Sequence, residues 1–253
     1  MNTAPLRYAR HHVLESFGEE GQARLGAARV LVVGVGGVGG AAALYLASSG
    51  VGALVLNDFD TVDVTNLPRQ PLYDEGDLGM RKAEAAARRL AARYPRLAVE
   101  ALPLRLDPSA FARAVRAVDL VLDASDNFPT RFAANAACVG AGRPLVVAAA
   151  QAYEVQITTV DPRSGAGCYR CLFDEESPED AFGDGCRRTG VLAPLVAVAG
   201  GLAASEAVRL LAGQDAAWRG RVLHGDVRTG RFGTTRYRAD PACPVCAAVE
   251  TRG

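Results

Sequence analysis

Five of the seven residues Gly34-Val-Gly-Gly-Val-Gly-Gly40 are glycine, and they follow directly on the apolar run Arg29-Val-Leu-Val-Val33. A continuous apolar run is what a parallel strand buried on both faces requires. Residues 38–49 are rich in Ala and Leu and predict a helix, and Ala53-Leu-Val-Leu-Asn57 predicts a second strand. Strand, glycine turn, helix and strand make a βαβ unit. Such glycines let the chain turn tightly and approach a phosphate, and the helix N-terminus adds free N–H groups and a positive dipole end. Nucleotide binding at Gly34, Gly36, Gly37 and Gly39 is the expectation. The plain alternative is a tight turn with packing duties only.

The alternation continues. Helices are predicted at 79–94, 108–117 and 129–140, the last with Pro129 near its start, where proline is tolerated, and strands at 97–104, 119–123 and 145–149. This pattern predicts an α/β chain with a Rossmann-like, doubly wound, mostly parallel sheet. After Gln151 the texture changes. Stretches 155–160, 221–227 and 232–238 read as a C-terminal β segment, with 167–190 a polar, Gly-rich crossover loop and 192–211 a packing helix. The predicted division is a helical lead-in at 1–28, a Rossmann-like ATP-binding region at 29–150 and a β/zinc region at 151–253.

Lys+Arg and Asp+Glu are equal at 28 each, so no net charge draws the chain to nucleic acid or an anionic membrane. Residues 1–10 carry charge without a following apolar stretch, and the longest apolar run, 191–205, runs into Glu206 and Arg209. That run reads as a buried helix, and the protein is expected in the cytoplasm. Reduced cysteines are then expected, which puts metal binding ahead of disulfides.

Asp58 and Asp60 follow the second strand, about twenty residues past the glycines, where an acidic residue typically bonds a ribose hydroxyl. Asp58 takes that role here, and Asp60 reads as a solvated loop carboxylate. Taken alone, the pattern indicates an NAD-dependent oxidoreductase. Residues further along the chain point elsewhere. Thr65-Asn66-Leu-Pro-Arg69-Gln70, Lys82 at a helix start, Arg10 near the N-terminus and Asp126-Asn127 past the fourth strand form a set of cations with a carboxylate. Such a set suits a triphosphate and its Mg2+, because cations offset phosphate charge and magnesium takes carboxylate and phosphate oxygens.

Cys168-Tyr-Arg-Cys171 and Cys243-Pro-Val-Cys246 are two C-x2-C pairs, the pattern of a closed tetrahedral Zn2+ site with a structural role. Cys138, in an apolar helix, reads as a small buried hydrophobe. Cys186 precedes Arg187 and Arg188, which favour a thiolate, so it is either a covalent link to an activated carboxylate or a dispensable loop residue. His11, His12 and His224 receive no role.

Taken together, these motifs resemble the ThiF/MoeB group of ubiquitin-activating-enzyme-like (HesA/MoeB/ThiF) adenylyltransferases over residues 6–247. The carrying pieces are Arg7-Tyr-Ala-Arg10, the glycine loop, Asn57-Asp-Phe-Asp60, Thr65-Asn-Leu-Pro-Arg-Gln70, Lys82, Asp123-Ala-Ser-Asp-Asn127, Cys168-Tyr-Arg-Cys-Leu172, Cys186 and Cys243-Pro-Val-Cys246. The resemblance implies that Gly37 lies against the phosphates of ATP and that Asp58 binds its ribose. It further implies that Asn66, Arg69 and Lys82 hold the phosphates, with Thr65 and Asn127 completing the set, and that Asp126 holds Mg2+. Arg10 would reach the active site of the other subunit of a homodimer, and Cys186 matches a loop cysteine that links to the carrier in ThiF-like members. The implied reaction is adenylation of the C-terminal glycine of a ubiquitin-like sulfur-carrier protein, ThiS-like in preference to MoaD-like. Sulfur would come from a separate donor, a cysteine desulfurase or a rhodanese-like protein. A non-catalytic scaffold for a ubiquitin-like protein is the rival from another class. Departures from the family pattern are Thr65 for Ser, His11 for Gln, and Cys-Arg-Arg-Thr-Gly-Val in the loop where Cys-Arg-Thr-Ala-Gly-Val is common.

Overall fold

The computed structural model describes residues 4–173 and 189–247. Eight strands form one sheet in the order β3-β2-β1-β4-β5-β6-β7-β8, namely β1 Arg29–Val33, β2 Ala53–Asn57, β3 Ala98–Leu102, β4 Leu120–Asp123, β5 Leu145–Gln151, β6 Glu154–Val160, β7 Arg221–Asp226 and β8 Arg231–Arg236. The first five are parallel to one another, and β6 to β8 join antiparallel. The C-terminal β segment therefore continues the parallel sheet.

The helices in chain order are α1 Ala4–Arg7, α2 Ala9–His12, α3 Gly18–Ala27, α4 Gly37–Ser49, α5 Lys82–Arg93, α6 Pro108–Arg116, α7 Phe128–Ala141, α8 Tyr169–Leu172 and α9 Ala193–Leu211. They cover both faces of the sheet. Val30 and Val32 of β1 point into the core shared with α4 and α9, while Leu31 and Val33 point into the core beneath α6 and α7. Successive side chains of a strand face opposite ways, and here each face meets helices, which explains why β1 is apolar at every position after Arg29.

Helix α9 is long and apolar enough to cross a membrane by composition. It packs instead against α4, β5 and β6, burying Leu195, Val196, Ala199, Ala203 and Ala207 at helical spacing. Its buried Glu206 accepts hydrogen bonds from the Thr159 hydroxyl at 2.9 Å and the Trp218 amide at 3.1 Å, so one oxygen of this carboxylate is satisfied within the fold.

Most of the predicted strands shift by a residue or two at their ends, β3, β5 and β8 the most, and for two of them the contact responsible is visible. β3 stops at Leu102 instead of 104, because the Asn57 side-chain amide ties the Leu102 and Leu104 carbonyls back to β2 at 2.9 and 2.8 Å. β5 runs on to Gln151, where Ala152 turns at φ 50° and the chain returns as β6.

Candidate active site

The C-terminal ends of β1, β2 and β4 open into a cleft of about 780 Å³. This is the end of a parallel sheet where helix N-termini and loop amides are free to meet a ligand. Gly34, Gly36 and Gly37 form one wall. A Cβ on Gly37 would lie 2.9 Å from both the Arg69 carbonyl oxygen and the Val196 side chain, so this glycine lets the glycine loop, the Arg69 segment and α9 close on one another. Gly39 does not line the cleft. A Cβ there would stand 1.8 Å from the Gly34 carbonyl oxygen, which makes Gly39 a packing residue that closes the turn rather than a lining one.

Asp58 joins this loop to β2. One carboxylate oxygen accepts the Val35 N–H at 2.8 Å and the other the Asp60 N–H at 2.9 Å. Burial raises its pKa above the ordinary 3.8, against a lowering pull from nearby Lys82. Lys82, buried as the first residue of α5, places its ammonium 3.2 Å from Asp60 Oδ2. Asp60, expected to be merely solvated, thus lines the cleft as the counter-ion of Lys82, because the start of α5 packs beside the end of β2.

A 3₁₀ segment, Val64–Arg69, brings Thr65, Asn66 and Arg69 to the same cleft. Asp63 starts it by accepting the Thr65 amide at 2.8 Å and the Thr65 hydroxyl at 2.6 Å, so that hydroxyl is already committed. The half-buried Arg69 donates from Nη1 to the Thr65 carbonyl at 2.8 Å. Across the cleft, Asp126 is exposed and accepts from the Asn127 amide at 3.3 Å. Asn127 caps α7, its side-chain oxygen accepting the Thr130 N–H at 3.0 Å. That leaves the Asn127 amide group, and not its oxygen, for a ligand.

Arg10 lies exposed on α2, outside the cleft-lining set of its own chain. Cys186 falls outside the described residues. His11 bonds Gln22 at 2.9 Å and His224 bonds Gln156 at 3.2 Å, pairings that tie elements together away from the cleft. Cys138 is fully buried, and burial pushes its thiol well above the usual range, as a packed apolar thiol requires.

Gln70, Arg131 and Ser125 are among the cleft residues that received no role in the sequence. Gln70 is buried with its side-chain oxygen unpartnered. It stood inside a recognised motif, and that was the available signal. Arg131 is buried and grips the Ser125 carbonyl from Nη2 at 2.6 Å and Nε at 3.2 Å. Nothing local marks one arginine on a helix as buried. Ser125 itself lies at the floor with an unpartnered hydroxyl. Ala148, Ala149 and Ala150 of β5 with Gly190 and Val191 complete the lining with small side chains.

One turn further along α7, beside Asn135, the sulfurs of Cys168, Cys171, Cys243 and Cys246 all lie within 4.8 Å of one another. Cys168 and Cys243 are 3.7 Å apart, and Cys171 and Cys246 3.4 Å apart. A tetrahedral zinc with bonds of about 2.3 Å spaces its sulfurs by about 3.8 Å, so the cluster is compatible with a closed Zn2+ site. The Asn135 amide at 3.4 Å from Cys168 Sγ and the Asp240 N–H at 3.3 Å from Cys171 Sγ supply the outer hydrogen bonds that thiolate ligands take.

Residues 8–245 match the pattern of the ThiF family. The chain belongs to the ThiF family. Among curated relatives, the SAMP-activating enzyme E1 of Haloferax volcanii is 44% identical over 240 residues, covering 95% of this chain and 88% of that protein. The molybdopterin-synthase adenylyltransferase of Escherichia coli is 41% identical over 244 residues (95% and 96%), and the sulfur carrier protein ThiS adenylyltransferase of the same organism 39% over 242 residues (95% and 94%). Among solved structures, E. coli MccB with ATP superposes at a TM-score of 0.82 with 25% identity, covering 95% of this chain and 73% of that one. The ThiF-family match spans the glycine loop, the Arg69 segment, Asp126 and the cysteines from Cys168 to Cys243.

Proposed function

We propose that this ThiF-family protein uses ATP to adenylate the C-terminal glycine carboxylate of a ubiquitin-like sulfur-carrier protein. The observation that carries the reading is the convergence of Arg69, Lys82 and Asp126 on one cleft with the glycine loop, whose lining is completed by the small side chains of Ala148–Ala150. Cations suit the triphosphate, and small side chains suit a slender Gly-Gly tail. The curated relatives, which carry the names of enzymes that activate such carriers, add weight.

In this reading the carrier carboxylate attacks the α-phosphorus. The bond to the bridging oxygen of pyrophosphate breaks, and an acyl-adenylate forms. No general base is required, since the carboxylate is ionised at neutral pH. Alignment and charge neutralisation carry the rate: Arg69 and Lys82 of one chain and Arg10 from the partner of a homodimer, while Asp126 would hold an Mg2+ that would supply further charge neutralisation at the phosphates. Asp58 takes the ribose, and the four cysteines hold Zn2+. A separate donor, a cysteine desulfurase or a rhodanese-like protein, then supplies sulfur in the cytoplasm. The Cys186-Arg187 context favours a ThiS-like carrier over a MoaD-like one.

The test is exchange of labelled pyrophosphate into ATP by the purified protein with magnesium, measured with ThiS-like, MoaD-like and SAMP-like carriers in turn. Exchange that depends on a carrier is expected, fastest with the ThiS-like one. No exchange with any of the three, or binding of NAD in place of ATP, overturns the reading.

A further inference from the structure

Asp126 sits on a loop held from two sides: on the β1 side the Ala124 N–H donates to the Val33 carbonyl at 2.8 Å, and on the other side α7 reaches the next residue. That residue, Ser125, is held at both of its backbone groups. Its N–H donates to the fully buried Asp123 carboxylate at 2.8 Å, and its carbonyl accepts from Arg131 Nη2 and Nε. The Asp123 and Asp126 carboxylates act on the Arg131 guanidinium through charge, and Arg131 makes one further hydrogen bond. Its Nη1 donates to the Tyr169 hydroxyl at 3.3 Å.

Tyr169 directly follows Cys168. Its backbone N–H donates to Asn135 Oδ1 at 3.0 Å, and Asn135 Nδ2 in turn donates to Cys168 Sγ. Arg131 and Asn135 lie one turn apart on α7, so a single helix face meets the cysteine cluster at one level and the Asp126 loop at the next. Phe132 adds an edge-on contact to the Tyr169 ring at 5.8 Å, and Phe173 packs on that ring at 5.0 Å. Arg131, Asn135, Cys168 and Tyr169 are all buried, so water cannot replace a lost partner along this line.

We propose that Arg131 and Tyr169 are positioning residues that transmit metal loading at the four cysteines to the magnesium side of the nucleotide cleft, by holding the Ser125-Asp126 backbone in place. The proposal rests on the adenylation reading. Asp58 and Lys82 are carried by β2 and α5 and hydrogen-bond to the glycine loop and to Asp60, while only Gly34 of the glycine loop packs against the Ser125 backbone. Loss of the link should therefore weaken the contribution of magnesium to nucleotide binding and spare the binding of magnesium-free ATP.

The experiment is calorimetric titration of ATP, with and without magnesium, into wild type and Tyr169→Phe, each zinc-loaded and after chelation, with bound zinc counted by atomic emission. Tyr169→Phe removes one hydroxyl and leaves the ring packing. It should keep its zinc and its affinity for magnesium-free ATP, while the gain in affinity on adding magnesium falls about threefold to tenfold, as for loss of one hydrogen bond of ordinary net strength. Chelation should cause the same fall in wild type and no further fall in Tyr169→Phe. A zinc-loaded Tyr169→Phe with an undiminished magnesium gain overturns the proposal, and so does an equal effect of chelation in both proteins. If chelation unfolds the chain, the comparison of the zinc-loaded proteins decides alone. A wild type that binds no ATP removes the function reading, and this inference with it.

Discussion

Lys82 Nζ stands 3.2 Å from Asp60 Oδ2, with the lysine side chain 9% exposed and the aspartate 43% exposed. A nearly buried cation is thus held at the cleft by a counter-ion that water still reaches. Solvent screening keeps such a pair weak, on the order of 1 kcal/mol or less. A phosphate that displaced water from the cleft would meet Lys82 already placed.

The two halves of that pair should therefore behave differently. Lys82→Ala removes charge stabilisation and is expected to cut carrier-dependent pyrophosphate exchange by about a hundredfold or more. Asp60→Asn should raise KM for ATP by no more than about fivefold, the size of a half-exposed pair. Steady-state exchange kinetics of the two variants check this ordering, and a larger loss in Asp60→Asn than in Lys82→Ala contradicts it.

Arg69→Ala and Asp126→Ala should each lower exchange by about a hundredfold to a thousandfold, as for removal of a group aimed at developing charge. Both side chains line the nucleotide cleft, away from the cysteine cluster, so zinc content should match wild type. Metal analysis alongside the exchange assay reads both outcomes.

Asp58 sets an acid limit. Burial lifts its folded pKa above 3.8, so between that value and the folded one the native state keeps a proton that the unfolded chain has released. The Asp58 contribution to stability therefore falls as pH rises through this window and is level above it. Nucleotide binding runs the other way, since a protonated Asp58 loses acceptor strength toward ribose hydroxyls. Affinity for ATP should drop as pH falls through the raised pKa, and Asp58→Asn should flatten that limb while weakening binding at neutral pH. A wild-type profile unchanged by the substitution would count against the assignment.

Replacing one ligand of the cysteine cluster, by Cys171→Ser, should empty the site and lower the melting temperature, because binding at a structural zinc site is folding free energy. Chelation of wild type should reproduce the shift, and a metal-free variant that melts with wild type would show the cluster to be dispensable.

Cys186→Ala should leave pyrophosphate exchange at the wild-type rate, since attack of a carboxylate on the α-phosphorus uses no thiol. Intact-mass analysis of the carrier separates this step from any later sulfur transfer. Loss of exchange in this variant would place the thiol in the first step.

Much of the fold was legible because its signals are local. The unbroken apolar run of β1 records burial on two faces, and the glycines after it record a turn no other residue makes cheaply. The paired C-x2-C spacings named a ligand set that the fold then brought within 4.8 Å. Strand ends were less legible. β3 is cut short by a side-chain amide from β2, and no window of sequence around residues 97–104 contains that partner.

By itself, then, the sequence determined the order of strands and helices, the glycine turn, and which cations, carboxylates and thiols were available. Tertiary structure alone decided how they pair: Asp60 with Lys82, Arg131 with the Ser125 carbonyl and Tyr169, Asn135 with Cys168. The reason is physical. Periodicity and turn chemistry depend on neighbours along the chain, whereas burial of a charge and choice of its partner depend on which elements the sheet order brings side by side.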